Sequence, residues 1–225
     1  MVRKLSTREL REIVSIQIPR ISDCDRDEMA IPSYLHWNPL IRWLMWKRYE
    51  SISNLSSIST EMSILEFGCG TGVFLPELAT NSNTVYAIDI FPEYAEILTE
   101  KLNLPVRFVR DLSEMPDNSL DLVIAADVLE HLNNDDLESY MVIFSKKLKI
   151  DGRLIVSGPT ENIFYKIGRV IAGFADKGDY HHTNINLLID AIGKHFDLQQ
   201  TQNLPSKFSP CLFKVCEFKQ PQSKC

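Results

Sequence analysis

From Ser63 onward, short apolar runs alternate with longer stretches in which apolar positions recur every three or four residues. "SILEF" at 63–67 reads as a buried strand, "VFLPELAT" at 73–80 as a short helix and "TVYAID" at 84–89 as a second strand. "PEYAEILTEKL" at 92–102 is a helix that Pro92 opens from a first-turn position. "VRFV" at 106–109 and "LDLVIAA" at 120–126 supply a third and a fourth strand. "NDDLESYMVIFSKKL" at 134–148 is an amphipathic helix with acids early and lysines late, the order that a helix dipole favours, and "GRLIVSG" at 152–158 is a fifth strand. Strand and helix in alternation predict βαβ units, hence a doubly wound α/β fold with a parallel sheet and helices on both faces. An irregular stretch from Pro159 to Asn184 follows, then a helix "INLLIDAIGKH" and two strand-like runs, "FDLQQTQ" and "CLFKVCEFK". With no helix between them, these two runs predict an antiparallel hairpin at the end of the sheet.

Upstream of this alternation, "NPLIRWLMWKRY" at 38–49 is aromatic, apolar and basic at once, and "SISNLSSIST" at 51–60 reads as a polar connection. The chain therefore divides into an N-terminal helical extension or lid, residues 1–58, and a core domain, 59–220, with an insertion at about 159–184. The segment at 36–50 has two readings: a helix whose tryptophans Trp37, Trp43 and Trp46 pack on the domain, or an interfacial helix that makes peripheral contact with a membrane. No uncharged run approaches the length that spans a bilayer.

At 225 residues, 44% hydrophobic and 24% charged, the chain is long enough for one full core. A net charge of -6 argues against broad attraction to nucleic acid, so no nucleic-acid partner is expected. Cys24, Cys69, Cys211, Cys216 and Cys225 are odd in number and without C-x-x-C spacing, and the N-terminus lacks the apolar core of a signal peptide. The expected compartment is the reducing cytoplasm.

In "ILEFGCGTGVF", Gly68, Gly70 and Gly72 occupy alternate positions between a strand and a helix. Such a turn needs permissive backbone angles, and a ligand approaches main chain closely only where no Cβ intervenes. A dinucleotide fingerprint starting at Gly68 would require glycine where Val73 stands, and the Gly-Lys-Ser/Thr ending of a phosphate-cradling loop is absent. Asp89, seventeen residues past Gly72 at the tip of the second strand, can accept hydrogen bonds from both hydroxyls of a ribose. Two strand ends thus outline one nucleoside site.

With "ILEFGCGTG", "VYAIDIFPEY", "VRDLSEMPDNSLDLVIAADVLEHL" and "LKIDGRLIVSGP" in this order, residues 60 to 160 resemble the class I S-adenosylmethionine-dependent methyltransferases. The resemblance implies a Rossmann-like, seven-stranded, mostly parallel sheet with an antiparallel last strand, and S-adenosyl-L-methionine as cofactor. It implies that Glu66 and the turn Gly68, Cys69, Gly70 and Gly72 hold the methionine part, that Asp89 binds the ribose and that Ile90 lies against the adenine. By the same resemblance Asp111 and Leu112 read the adenine edge, while Ala126 and Asp127 line the sulfonium side.

The reaction so implied is displacement at an activated methyl group by an acceptor nucleophile. The protein then mainly aligns the two molecules and excludes water. His181 and His182, in "GDYHHTNIN", are the candidate catalytic bases for an acceptor that must lose a proton; the alternative for both is capping or packing beside the following helix. Asp127, Glu130 and His131 would share one face of a helical turn and could coordinate a divalent ion, although the same "EHL" occurs in metal-free relatives, and no metal is assigned. The aromatic segments on either side of the core suit a small, apolar or lipid-like acceptor. A cofactor-binding but catalytically idle regulator is the competing class.

Overall fold

The computed structural model describes residues 3–22, 31–162, 165, 183–206 and 210–221. The apolar runs form the strands β1 (Ser63–Phe67), β2 (Thr84–Ile88), β3 (Val106–Phe108), β4 (Leu120–Ala126), β5 (Leu148–Pro159), β6 (Asp197–Leu204) and β7 (Phe213–Lys219). They make a seven-stranded sheet in the order β3-β2-β1-β4-β5-β7-β6. β1 to β5 pair in parallel, and β7 runs antiparallel to both β5 and β6. The terminal hairpin expected from the sequence is present, and it folds so that β7 lies inside and β6 at the edge.

Neighbouring residues of the central strands face opposite ways, so one apolar run feeds two cores. Ile64, Leu122, Ile124, Ile155 and Val215 face one side, where they meet helices α1 (Thr7–Val14), α2 (Ile31–Leu35), α3 (Pro39–Ser56), α4 (Leu75–Asn81) and α5 (Glu93–Lys101) through Leu10, Tyr34, Ile52, Leu78 and Leu98. Leu65, Val123, Leu154, Val156 and Phe218 face the other, against α6 (Asn134–Lys147) and α7 (Ile185–Ile192) through Phe144, Met141, Leu188 and Ile192. α6 has the charge order read from its sequence: Asp135 and Asp136 lie in the first turn, and Asn133 caps it by accepting from the Asp136 amide at 2.9 Å. Lys146 and Lys147 lie in its last turn.

α3 departs from expectation. It begins as the sequence suggests, with Asn38 accepting from the Leu40 amide at 2.9 Å and Pro39 in the first turn, but it runs on to Ser56 through half of the serine-rich stretch expected to be a connection. Serine is a modest helix former, and tertiary packing overrides that preference. Ile52 and Leu55 are buried on the sheet, and Ser51 and Ser56, small enough to admit close approach, are buried beside them. The C-terminal carbonyls are satisfied from outside the helix: Arg153 donates from Nη1 to Leu55 O at 3.3 Å and from Nη2 to Ser56 O.

The register brings three strand ends level. Phe67 of β1 pairs with Ile88 of β2 and Ala125 of β4, so Gly68, Asp89 and Ala126 leave the sheet side by side at its carboxyl edge. This is where ligands of open α/β sheets bind.

Candidate functional site

The turn after β1 takes three positive φ angles, +73° at Gly68, +52° at Gly70 and +72° at Gly72. Its amides point back onto β2: Gly68 N and Cys69 N both donate to Ile88 O, at 2.9 and 3.2 Å. Gly70 N donates to Asp89 Oδ2 at 2.6 Å, and Phe91 N donates to Asp89 Oδ1 at 2.9 Å. At two of the glycines the demand is steric. A Cβ on Gly68 would stand 2.4 Å from Val128 Cγ2, and one on Gly72 would stand 2.9 Å from both Ala95 Cβ and Leu75 Cδ1. Gly72 thus lets two helices close on the turn.

Above this edge lies a cavity of about 670 Å³. Gly68, Cys69, Gly70 and Thr71 line it from the turn, Asp89 and Ile90 from the tip of β2, and Ala126 and Asp127 from the tip of β4. Seven of the eleven positions that the resemblance assigned to the cofactor are therefore brought together. Ile90 is 80% exposed and offers a flat apolar face at the rim. Cys69 is buried, and burial first, then the charges of Glu66 and Asp89, push its thiol well above the usual range, so it is no thiolate nucleophile.

Four other positions lie off the cavity wall. Gly72 packs against α5. Glu66 lies beneath the turn, fully buried, with Oε2 unpartnered among the described residues. Burial, reinforced by the Asp89 charge, raises its carboxyl well above the ordinary range. Asp111 is exposed and caps the 3-10 turn Leu112–Glu114: its carboxylate accepts from Ser113 N at 2.7 Å while Glu114 Oε1 accepts from Asp111 N at 2.9 Å. Leu112 is buried in the second core, and Arg110 is the residue of this segment that reaches the cavity.

At the opposite end the tip of β4 meets α3. Asp127 has a left-handed φ of +53°, and its Oδ1 accepts from Ser157 Oγ at 2.8 Å. Its Oδ2 forms an ion pair with Nη1 of Arg48, whose side chain is only 3% exposed. Arg48 Nη2 donates to Tyr34 Oη at 2.9 Å, and the guanidinium lies over the rings of Tyr49 and Phe213, at 5.2 and 5.8 Å from their centroids. Its Nε has no partner among the described residues. Tyr34, Arg48 and Tyr49 all line the cavity, joined by Tyr140 and His131.

The three candidate metal ligands do not share a helical face. Asp127 precedes the 3-10 turn Leu129–His131, and Glu130 is fully buried with both carboxyl oxygens unpartnered among the described residues, pushed up to about 7, chiefly by burial. Among the described residues no group of three or more His, Cys, Asp or Glu side chains is placed to hold a metal ion. His181 and His182, and most of the insertion at 159–184, lie outside the described residues. The tryptophans of the N-terminal segment divide: Trp46 is buried, edge-on to Tyr34 at 5.2 Å, whereas Trp37 and Trp43 are exposed with Leu40 near the start of α3. No described helix is long and apolar enough to cross a membrane.

In the sequence Arg48 carried one signal, a charge inside an aromatic run. Its partners stand at positions 34 and 127, so nothing local marked it as a site residue.

A family model described as a methyltransferase domain matches residues 43–203. An uncharacterized methyltransferase of Exiguobacterium sibiricum is 28% identical over 112 residues, 49% of this chain and 52% of that protein. A ubiquinone biosynthesis O-methyltransferase of Rickettsia prowazekii is 31% identical over 110 residues, 47% of this chain and 42% of that protein. The chain spans about half the length of the curated relatives it matches. Among solved structures, an S-adenosylmethionine-dependent methyltransferase from Clostridium acetobutylicum superposes with a TM-score of 0.62 at 16% identity, covering 89% of this chain and 100% of that one. The magnesium protoporphyrin IX methyltransferase of Synechocystis PCC 6803, solved with bound SAH, superposes with a TM-score of 0.61 at 18% identity, covering 87% and 94%. These two likenesses concern the fold.

Proposed function

This chain belongs to the class I S-adenosylmethionine-dependent methyltransferase family, and from that premise we propose that it transfers the methyl group of S-adenosyl-L-methionine to a small acceptor with an apolar or aromatic body. The observation that carries the reading is the placement of Asp89. Two backbone amides fix its carboxylate at the cavity wall, one to each oxygen, and each oxygen keeps acceptor capacity for a ribose hydroxyl.

The residues around it fit the same ligand. Ile90 offers an exposed apolar surface for adenine, and Gly68 to Thr71 bring bare backbone to the wall for the amino-acid part. The cavity lies within the usual range for sites of this kind, roughly 300–1,000 Å³. When bound, the cofactor supplies a methyl group already activated by its positive sulfur.

The remaining work belongs to this chain. Ala126 and Asp127 line the side where the methyl group would lie, and Tyr34, Tyr49 and Tyr140 wall the space beyond it. There these residues would align the acceptor's nucleophilic atom with the methyl carbon and exclude water, so that the new bond would form as the carbon–sulfur bond breaks. The proton of an O–H or N–H acceptor must go to a base, for which His131 on the cavity wall joins His181 and His182. In this reading residues 1–58 act as a cover, since α2 and α3 supply the acceptor-side aromatics. The ubiquinone biosynthesis relatives recommend phenolic and quinone-like acceptors as the first to test.

Calorimetric titration of cofactor-stripped protein with S-adenosylmethionine and S-adenosylhomocysteine, with NAD as control, tests the reading. Saturable binding of the two sulfur nucleosides alone, followed by methyl transfer to a phenolic acceptor, supports it. Absence of binding by folded protein overturns it, and binding without transfer to any acceptor favours the idle regulator.

A further inference from the structure

Arg48 is a cation buried in the wall of the acceptor end, and its surroundings leave it incompletely answered. A guanidinium has five N–H donors and is always charged. Here one nitrogen faces Asp127, one faces the Tyr34 hydroxyl, the Tyr49 hydroxyl is a further hydrogen-bond partner, and Nε has no partner among the described residues. A buried donor left unpaired is costly and is met in binding sites that a ligand completes.

The charges nearby sharpen the point. Glu130 also acts on Arg48 electrostatically, but it is fully buried and desolvation shifts it toward the protonated form, up to about 7. Among the described residues Asp127 alone forms an ion pair with the guanidinium, and Asp127 also accepts from Ser157. Once a sulfonium lies beside the tip of β4, one carboxylate faces two positive groups. The acceptor end then lacks one negative charge, within walls that are otherwise aromatic: Tyr34, Tyr49 and Tyr140.

We propose that the acceptor is a small organic acid and that Arg48 determines this specificity, binding the acceptor's carboxylate at a guanidinium it now shares with Asp127 and Tyr34. The proposal rests on the methyltransferase reading. In it Tyr34 and the two flanking rings hold the guanidinium plane in place, and Asp127 turns from Arg48 toward the sulfonium as the acid arrives. An Arg fork suits a planar carboxylate, whereas a lysine would offer only a point charge.

The test is calorimetry on the full chain, shown first to bind S-adenosylhomocysteine and then saturated with sinefungin, an unreactive cofactor analogue that carries an ammonium group in place of the methyl-sulfonium, using 4-hydroxybenzoate, phenylacetate and decanoate, each matched with its own carboxamide. We expect an acid to bind about tenfold or more tightly than its amide. Arg48→Met should abolish that preference and Arg48→Lys should weaken it, with nucleoside binding retained in both. Asp127→Asn, which removes the competing carboxylate, should strengthen acid binding and leave the amide unchanged. If Arg48→Met does not fold, Arg48→Lys and Asp127→Asn still decide, because an Arg48 that only pins α3 to β4 predicts no change in the acid-to-amide ratio in either. Acids that bind no better than amides to the nucleoside-saturated wild type, or a preference that survives loss of Arg48, overturn the proposal. Failure of S-adenosylhomocysteine itself to bind overturns the methyltransferase reading instead.

Discussion

The amide of Gly70 lies 2.6 Å from a carboxylate oxygen of Asp89, a bond that ties the turn after β1 to the tip of β2. The same carboxylate holds Phe91 N at 2.9 Å, so one side chain both shapes the turn and presents itself to the cavity. Asp89→Ala should therefore lower S-adenosylhomocysteine affinity by about a hundredfold and cost about 1–3 kcal/mol in stability, as charge-assisted hydrogen bonds of this kind do. Asp89→Asn keeps one acceptor oxygen and should fall between. Calorimetry and urea denaturation on the same preparations check both, and unchanged affinity in Asp89→Ala would remove the ribose assignment.

Gly68 is the tightest point of the turn. Its φ of +73° and the 2.4 Å approach of a hypothetical Cβ to Val128 Cγ2 impose separate penalties. We expect Gly68→Ala to destabilise by about 2–4 kcal/mol, the backbone and the overpacking each contributing. In a double-mutant cycle Val128→Gly, which removes the Val128 Cβ at 2.7 Å as well as its methyls, should relieve the contact and leave a residual of about 1–2 kcal/mol that belongs to the backbone at position 68. Full recovery in the double mutant would show that the left-handed angle is not demanded.

Glu130 makes stability depend on pH. Its carboxyl is pushed up to about 7 from an ordinary 4.5, mainly by desolvation, so the folded protein holds that proton more tightly than the unfolded chain. The contribution is complete below the unfolded value of 4.5 and is lost as pH rises through about 7. Glu66, raised well above the ordinary range by burial and Asp89, acts with the same sign. Urea denaturation should show stability falling from about pH 5 to about pH 8, with Glu130→Gln removing on the order of 3 kcal/mol of that fall. An equally steep profile in Glu130→Gln would mean that Glu130 is ionised in the folded protein.

Arg153 fastens the N-terminal helix to the sheet, donating to Leu55 O at 3.3 Å, to Ser56 O, and to Glu217 Oε1 at 2.8 Å. Arg153→Met strands the helix carbonyls and Glu217 Oε1, although Gln200 Nε2 still donates to Glu217 Oε2 at 2.8 Å, a loss of about 3–5 kcal/mol by comparison with other broken buried pairs. Hydrogen exchange should then accelerate first across residues 39–56, ahead of β1 and β4, because that helix has lost its anchor. Uniform acceleration across the sheet would place the loss in the β5–β7 pairing instead.

Much of the turn and of the strand tips that line the cavity was legible in the sequence because its determinants are local. Glycines at alternate positions after "SILEF", and an acid at the end of "TVYAID", mark a turn and a strand tip whatever surrounds them. Asp111 shows where local reading stops. A turn-rich segment specified its conformation, but its carboxylate is spent on Ser113 N, and Arg110 is the neighbour that faces the cavity. "SISNLSSIST" misled for the opposite reason. Its serines read as a connection, and burial of Ile52 and Leu55 against the sheet made its first half helix.

By itself the chain determined its alternation of strands and helices, the glycine turn and the acid across from it, since these depend on periodicity and backbone angles within a few residues. Tertiary structure alone decided that Arg48 would meet Asp127, that Glu66 and Glu130 would be sealed from water, and that Gly72 would serve packing while Gly70 met the cavity. Charge, burial and steric room at a site are set by what other elements bring to it, and pattern along one strand or helix carries no record of the neighbour that will stand opposite.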